Sequence, residues 1–261
     1  TIWAGTDDGR VWITRSGGGQ SAEAWTEVTP PGLPEWSTVN AIEVSPYRAG
    51  KAYVTAYRYR LDDFTPYVFR TTDYGESWTR IADGTRGIPS DHATRVVRED
   101  PDREGLLYAG TEFGMYVSFD DGTHWQSLQL NLPTTPITDL ALKRKDLVVA
   151  TQGRAFWILD NLTPLHQLDR EITRKASETG AYLYEPRDPH RVDIGGFYGG
   201  FAAVPDYPPE GANLDYYLAG DGAESVTLEV LDADGNVIRT FTSDSAAARA
   251  EGERALSTAA G

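Results

Sequence analysis

Short runs of alternating apolar and polar residues, separated by clusters of Gly, Asp, Ser and Pro, fill the first two thirds of the chain. Period-two alternation marks half-buried β-strands, and the turn residues mark where each ends. Val39 to Val44 reads as one strand, Lys51 to Tyr57 as a second, Tyr67 to Thr71 as a third and Trp78 to Ile81 as a fourth. The order recurs in Arg95 to Arg98, Leu106 to Thr111, Gly114 to Ser118 and Trp125 to Leu128. It recurs again in Ile137 to Leu142, Leu147 to Thr151 and Ala155 to Leu159, where Asp160 remains but no closing Trp follows. Ahead of these, Thr1 to Thr6, Arg10 to Thr14 and Trp25 to Val28 predict a unit that starts at its second strand. The total is about three and three-quarter four-stranded blades.

A turn is written twice at matching places in this pattern. Thr71-Thr72-Asp73-Tyr74-Gly75-Glu76-Ser77-Trp78 and Ser118-Phe119-Asp120-Asp121-Gly122-Thr123-His124-Trp125 both fit Ser/Thr-x-Asp-x-Gly-x-x-Trp, and their tryptophans are 47 residues apart. That spacing suits one propeller blade. Asp73 and Asp120 are placed to accept hydrogen bonds from amides of their own turns, Gly75 and Gly122 to take positive φ, and Trp78 and Trp125 to pack between blades. All eight residues, Thr71, Asp73, Gly75, Trp78, Ser118, Asp120, Gly122 and Trp125, are therefore assigned to structure. The first unit carries Ser16-Gly17-Gly18-Gly19-Gln20 in place of this turn.

The chain resembles the Asp-box (BNR) β-propellers in "RLDDFTPYVFRTTDYGESW", "VVREDP", "LLYAGTEFGMYVSFDDGTHW" and "GRAFWILDNLTPL". These include sialidases, xyloglucan hydrolases and sortilin-type Vps10 domains. The likeness is greatest to large bacterial glycosyl hydrolase-like proteins. It implies an all-β fold: a partial propeller over 1–168, here the last blades of a larger ring, completed by the rest of a parent chain or by another subunit. It implies a secreted or periplasmic location.

After Leu168 the repeat stops. Residues 169–180 read as a connector or short helix, and 181–244 as part of an immunoglobulin- or fibronectin-like β-sandwich with too few strands to complete it. Within that stretch lie Tyr182 to Tyr184, a glycine–aromatic loop at 195–201, Asn213 to Leu218 and Val226 to Leu231. Ala233-Asp234-Gly235-Asn236 then turns into Val237 to Thr242. Residues 245–261 read as a linker or frayed helix. Thr1 already lies in a strand pattern, which predicts a processed or excised piece.

Composition narrows the partners. A formal charge of −15 argues against nucleic acid or an anionic membrane surface, both of which it would repel. No apolar run approaches a membrane span. The chain has no Cys, so thiol chemistry is excluded. The histidines at 92, 124, 166 and 190 have no metal-ligand spacing, and neither a metal nor a cofactor is expected.

In a propeller the loops joining second to third strands share one face with the interblade loops, opposite the repeated turns. That open face gathers Trp36, Arg58, Tyr59, Arg60, Asp62, Asp63, His92, Glu112, Phe113, Gln152 and Arg154. Aromatic faces stack on sugars and Arg clamps carboxylates, so Trp36, Arg58, Tyr59, Arg60, Phe113 and Arg154 are the candidate residues for a glycan or protein ligand. The bland alternative is an interblade salt-bridge network among Arg58, Arg60, Asp62 and Asp63. A glycosidase needs two carboxyl groups across the scissile bond, and Asp62, Asp63 and Glu112 are the candidates, shared with absent blades. A third possibility is a purely structural part of a larger assembly. Arg86-Gly87-Ile88-Pro89 does not match the sialidase Phe/Tyr-Arg-Ile-Pro segment.

Overall fold

The computed structural model describes residues 1–19, 21–189, 211–220, 223–250 and 255–258. Contacts divide the chain into two compact units, 1–162 and 163–261. The first is a partial β-propeller of antiparallel sheets, each a meander of consecutive strands. Blade one holds β1 (Ile2–Gly5), β2 (Val11–Thr14) and β3 (Thr26–Glu27); blade two holds β4 (Thr38–Val44), β5 (Ala52–Arg58), β6 (Asp63–Thr71) and β7 (Thr79–Ala82). Blade three holds β8 (Thr94–Glu99), β9 (Leu107–Thr111), β10 (Met115–Ser118) and β11 (Gln126–Ser127), and blade four β12 (Ile137–Lys143), β13 (Asp146–Thr151) and β14 (Phe156–Leu159).

The second strands β5 and β9 are apolar almost throughout and buried along nearly their whole length. Both of their sheet faces are covered by neighbouring blades, so alternation gives way to a continuous run. Tyr53, Val68, Ile81, Ile88, Val97, Leu107 and Trp125 form one buried cluster between blades two and three. Each such side chain stabilises the fold by about 1.5–3 kcal/mol relative to exposure. The inner strands share a further device. Each is interrupted by a β-bulge at the same place, between Val39 and Ala41, Thr94 and Val96, and Ile137 and Asp139.

The two repeated turns have matching geometry. Thr71 Oγ1 donates to Asp73 Oδ1 (2.7 Å) and accepts from Gly75 N (2.9 Å), while Asp73 Oδ1 accepts from Ser77 N (2.9 Å). In blade three Ser118 Oγ, Asp120, Gly122 N and His124 N repeat these bonds at 3.0, 2.9 and 2.8 Å. The indole of each turn also fastens its blade to the preceding one. Trp78 Nε1 donates to Val28 O and Trp125 Nε1 to Ile81 O, both at 2.8 Å. A Cβ on Gly75 would lie 2.7 Å from Val28, and one on Gly122 2.5 Å from Ile81. Both glycines also have positive φ (88° and 84°), so conformation and close approach together demand glycine. In blade one Thr14 Oγ1 and Ser16 Oγ, 3.2 Å apart, keep a hydroxyl remnant of this turn. In blade four Leu147 faces Leu159 as Leu107 faces Ser118. Asn161, not Asp160, therefore occupies the place of Asp120, because the β13–β14 turn is one residue longer.

Hydrogen bonds from the Ser77 hydroxyl and amide and from Thr71 pull the Asp73 carboxyl down to about 2. An unfolded Asp titrates near 3.9. A depressed folded value means its contribution is present above about pH 4 and is lost as pH falls toward about 2. Asp73→Asn is expected to flatten the dependence of stability on pH across that window, read by denaturation at stepped pH. An unchanged slope would show that the carboxylate charge does not matter to the turn.

The second unit contains α1 (Thr163–Gln167), α2 (Arg170–Thr179), β15 (Ala181–Leu183), β16 (Tyr216–Leu218), β17 (Thr227–Leu231), β18 (Val237–Thr242) and α3 (Ser245–Ala250). Asp169 caps α2 by accepting from Ile172 N (2.8 Å), and Gly180 ends it in the left-handed region. β15 pairs with β16 and β17 with β18, giving two separate two-stranded sheets. The glycine–aromatic stretch at 195–201 lies outside the described residues. Among the described residues no helix is long and apolar enough to cross a membrane.

Candidate functional site

On the open face, the segment from Tyr57 to Pro66, which the strand pattern leaves between the second and third strands of its blade, is a tight hairpin. Residues Tyr59–Leu61 make one 3-10 turn, Asp62 closes it at φ 61°, and the strand resumes at Asp63, paired with Arg58. Arg58 Nη1 donates to Asp63 Oδ2 (2.9 Å), and Tyr67 OH (2.8 Å) and Thr65 N (3.1 Å) also donate to this carboxylate. Burial works to raise the Asp63 carboxyl, but these bonds together hold it below the usual carboxylate range. Asp62 and Arg60 are exposed. Of the expected salt-bridge network, the described ion pairs include only Arg58 with Asp63.

Arg95, which the strand pattern did not single out, organises this face. It is the bulged residue of β8, and the extra residue in the ladder re-aims its side chain. Its Nε donates to Glu112 Oε1 at 2.6 Å, and its guanidinium lies 5.2 Å from the Tyr59 ring and 5.9 Å from the Tyr57 ring. The Tyr57 and Tyr59 ring centroids are 4.7 Å apart, and Arg60 approaches Tyr59 from outside at 5.9 Å. Asn40, the equivalent bulged residue of blade two, donates from Nδ2 to Arg95 O at 2.6 Å. The sequence signal was a cationic residue, Arg95, at the start of the strand Arg95 to Arg98. Its meaning depends on a bulge that strand alternation does not reveal.

Phe113 packs on His92 with centroids 4.7 Å apart, and Tyr116 OH lies 2.8 Å from His92 Nδ1. Burial pushes the imidazole down, against the opposing pull of Asp91. Trp36 stands exposed on the β3–β4 connection, with its backbone N–H donating to Asp8 O (2.9 Å). Gln152 and Arg154 are exposed on the β13–β14 turn, and Arg154 has no ion pair among the described residues. The geometry thus brings Tyr59 and Glu112 onto Arg95, with Arg60 against Tyr59, the Arg58–Asp63 pair on the same hairpin, and Trp36 and Arg154 on other turns of the same face.

Deeper along the inner strands, Arg98 ties three blades together. Nη2 reaches Asp139 Oδ1 (2.7 Å), Nη1 reaches Glu43 Oε2 (3.4 Å), and Nε donates to Leu140 O (3.0 Å). Burial raises the Glu43 carboxyl despite the opposing charge of Arg98. Every one of Asp63, Glu112, Glu43 and Asp139 is therefore already engaged by a guanidinium. These carboxylates are arranged as fixed acceptors.

No protein-family model matches this chain, and no curated protein matches it. Solved structures do. YCF48 bound to a D1 peptide is 18% identical over 60% of this chain and 47% of that one, with a TM-score of 0.44. The GH74 xyloglucanase of Xanthomonas campestris is 17% identical over 70% of this chain and 30% of that one, TM-score 0.44. The extracellular domain of a putative one-component system from B. thetaiotaomicron is 16% identical over 60% and 20%, TM-score 0.43. This chain spans less than half the length of each, and the likeness concerns the propeller fold alone.

Proposed function

We propose that the propeller unit is a recognition module that binds a glycan or protein ligand on the face opposite the repeated turns. The observation that carries this is the cluster around Arg95: a guanidinium fixed by Glu112 and flanked by two tyrosine rings, with the Arg58–Asp63 hairpin beside it. Side chains so anchored lose little freedom when a ligand arrives, which is what favours binding over loose contact. Hydrolysis asks instead for one carboxyl kept protonated and a second carboxylate free to act as nucleophile or as base on water. Here Asp63 is held in the ionised form, and Glu112 is bound to Arg95. The module's place in this reading is outside the cytoplasm, secreted or periplasmic.

Blade four supports the companion proposal that further polypeptide, from the same chain or another subunit, continues the ring. Met115 and Val117 in β10 are 2% and 3% exposed, whereas Phe156 and Ile158, their equivalents in β14, are 76% and 57% exposed. That face of blade four is built to be covered as blade three's is.

Retention of the protein on immobilised polysaccharides, sialosides and peptides tests the recognition reading. Tyr59→Ala and Arg95→Ala are expected to lower retention severalfold, and the exposed Arg60→Ala to lower it without altering the melting temperature. Retention indifferent to all three would reject the site. Turnover that disappears in Asp62→Asn, Asp63→Asn or Glu112→Gln would replace binding by glycoside hydrolysis.

A further inference from the structure

A second feature of the open face lies between the β1–β2 turn and the β3–β4 connection. Asp8, Arg10, Glu27, Leu33, Glu35 and Trp36 surround an open cleft of about 280 Å³, below the usual size of a pocket for a drug-sized ligand. Trp36 is 67% exposed. Its backbone is held in place: Trp36 N is tied to Asp8 O, and the buried Ser37 hydroxyl donates to Pro34 O (2.6 Å). Leu33 packs on the cluster containing Tyr67, whose hydroxyl binds Asp63, so the cleft adjoins the hairpin described above.

The polar wall is held in place from behind. Thr29 Oγ1 donates to Glu27 Oε1 (2.9 Å), the Thr6 hydroxyl donates to Asp8, and Arg10 bridges Asp8 (3.3 Å) and Glu27 (3.5 Å). Three carboxylates against one guanidinium disfavour any anionic ligand. A cationic guest would find acceptors but would also meet Arg10. A sugar ring without charge fits both sides, because it has an apolar C–H face for the indole and hydroxyls that donate to carboxylates and accept from Arg10.

Resting on the reading of the open face as a recognition surface, we propose that this cleft binds one uncharged sugar ring of a glycan, stacked on Trp36 with its hydroxyls on Asp8, Arg10, Glu27 and Glu35. The cleft thereby selects uncharged sugar rings over sialic or uronic acid rings.

The test is titration of the full chain and of its Trp36→Ala and Arg95→Ala variants with cellotetraose, xylotetraose, mannotetraose, sialyllactose and N-acetyl-lysine amide, followed by saturation-transfer NMR. At least one neutral tetrasaccharide is expected to bind, with Trp36→Ala weakening it about tenfold or more, equivalent to about 1.4 kcal/mol. The sialic acid ring of sialyllactose should show no transfer that depends on Trp36. Trp36→Tyr should restore part of the affinity, since a smaller aromatic face still stacks. Binding unchanged in Trp36→Ala but lost in Arg95→Ala would overturn the cleft and keep the open-face reading. No neutral saccharide bound, or N-acetyl-lysine amide bound through Trp36, would also overturn it.

Discussion

Trp125→Ala is expected to destabilise the propeller unit by roughly 3–5 kcal/mol, the range for removing a large aromatic from a packed core. The ring is buried among Ile81, Ile88 and Val97, its Nε1 donates to Ile81 O, and its backbone N donates to Arg86 O at 2.7 Å. Truncation empties a cavity between blades two and three and leaves a carbonyl without its donor. Trp78 occupies the same place in the other turn, yet it is only half-buried and packs at the margin of a smaller cluster. Trp78→Ala should therefore cost distinctly less. Urea midpoints for the two variants, with the slope m compared to the parent, check both claims. Equal losses would mean that the turn itself, and not its burial, sets the contribution.

Lys51→Met is expected to cost about 3–5 kcal/mol for a different reason, because it strands a buried carboxylate. Lys51 and Glu99 are 3% and 0% exposed at their side chains, and Nζ lies 2.8 Å from Glu99 Oε1 and 3.1 Å from Asp121 Oδ1. Arg70 reaches Asp121 Oδ2 at 2.7 Å, the Tyr53 hydroxyl donates to the same Asp121, and Gly105 N donates to Glu99 at 3.1 Å. Burial, reinforced by Asp121, drives the Tyr53 hydroxyl upward, so it remains a donor here. The cluster joins blades two and three beside the second repeated turn. In Lys51→Met/Glu99→Gln the uncompensated charge is gone, while an amide oxygen can still accept from Gly105. The double variant should be more stable than Lys51→Met alone, and a double-mutant cycle measures the coupling. Additive losses would show that the two groups act independently.

Much of the fold could be read directly. Strand order, the repeated turns and the direction of the Asp73 and Asp120 carboxylates all follow from local pattern: period-two alternation, a hydroxyl two residues before a carboxylate, and glycine where φ must be positive. For residues 169–180 the pattern left a connector or a short helix open, and the fold forms α2 there, with Asp169 as its cap and Gly180 as its stop. Two local expectations differ from the fold. The Tyr57 to Pro66 segment closes early because Asp62 accepts the left-handed conformation, and Asn161 takes the place expected for Asp160 because one extra residue shifts the turn.

The open face was legible only as a list of residues. Arg58, Tyr59, Asp63 and Glu112 lie in or beside turns whose side of the propeller strand order already determines, because successive turns of a meander alternate between its two faces. That Tyr59 and Glu112 meet Arg95 depends on a bulge, a backbone event that leaves no periodic trace. The pairing of Lys51 with Glu99, the span of Arg98 across three blades and the fastening of Trp125 to Ile81 are contacts between different blades, 41 to 55 residues apart in the chain. Alternation and turn chemistry are properties of neighbours in the chain, so the sequence alone determined the blades and their turns. Which charges meet, and which aromatic is buried, were decided by the rotation of one blade against the next, which only tertiary packing sets.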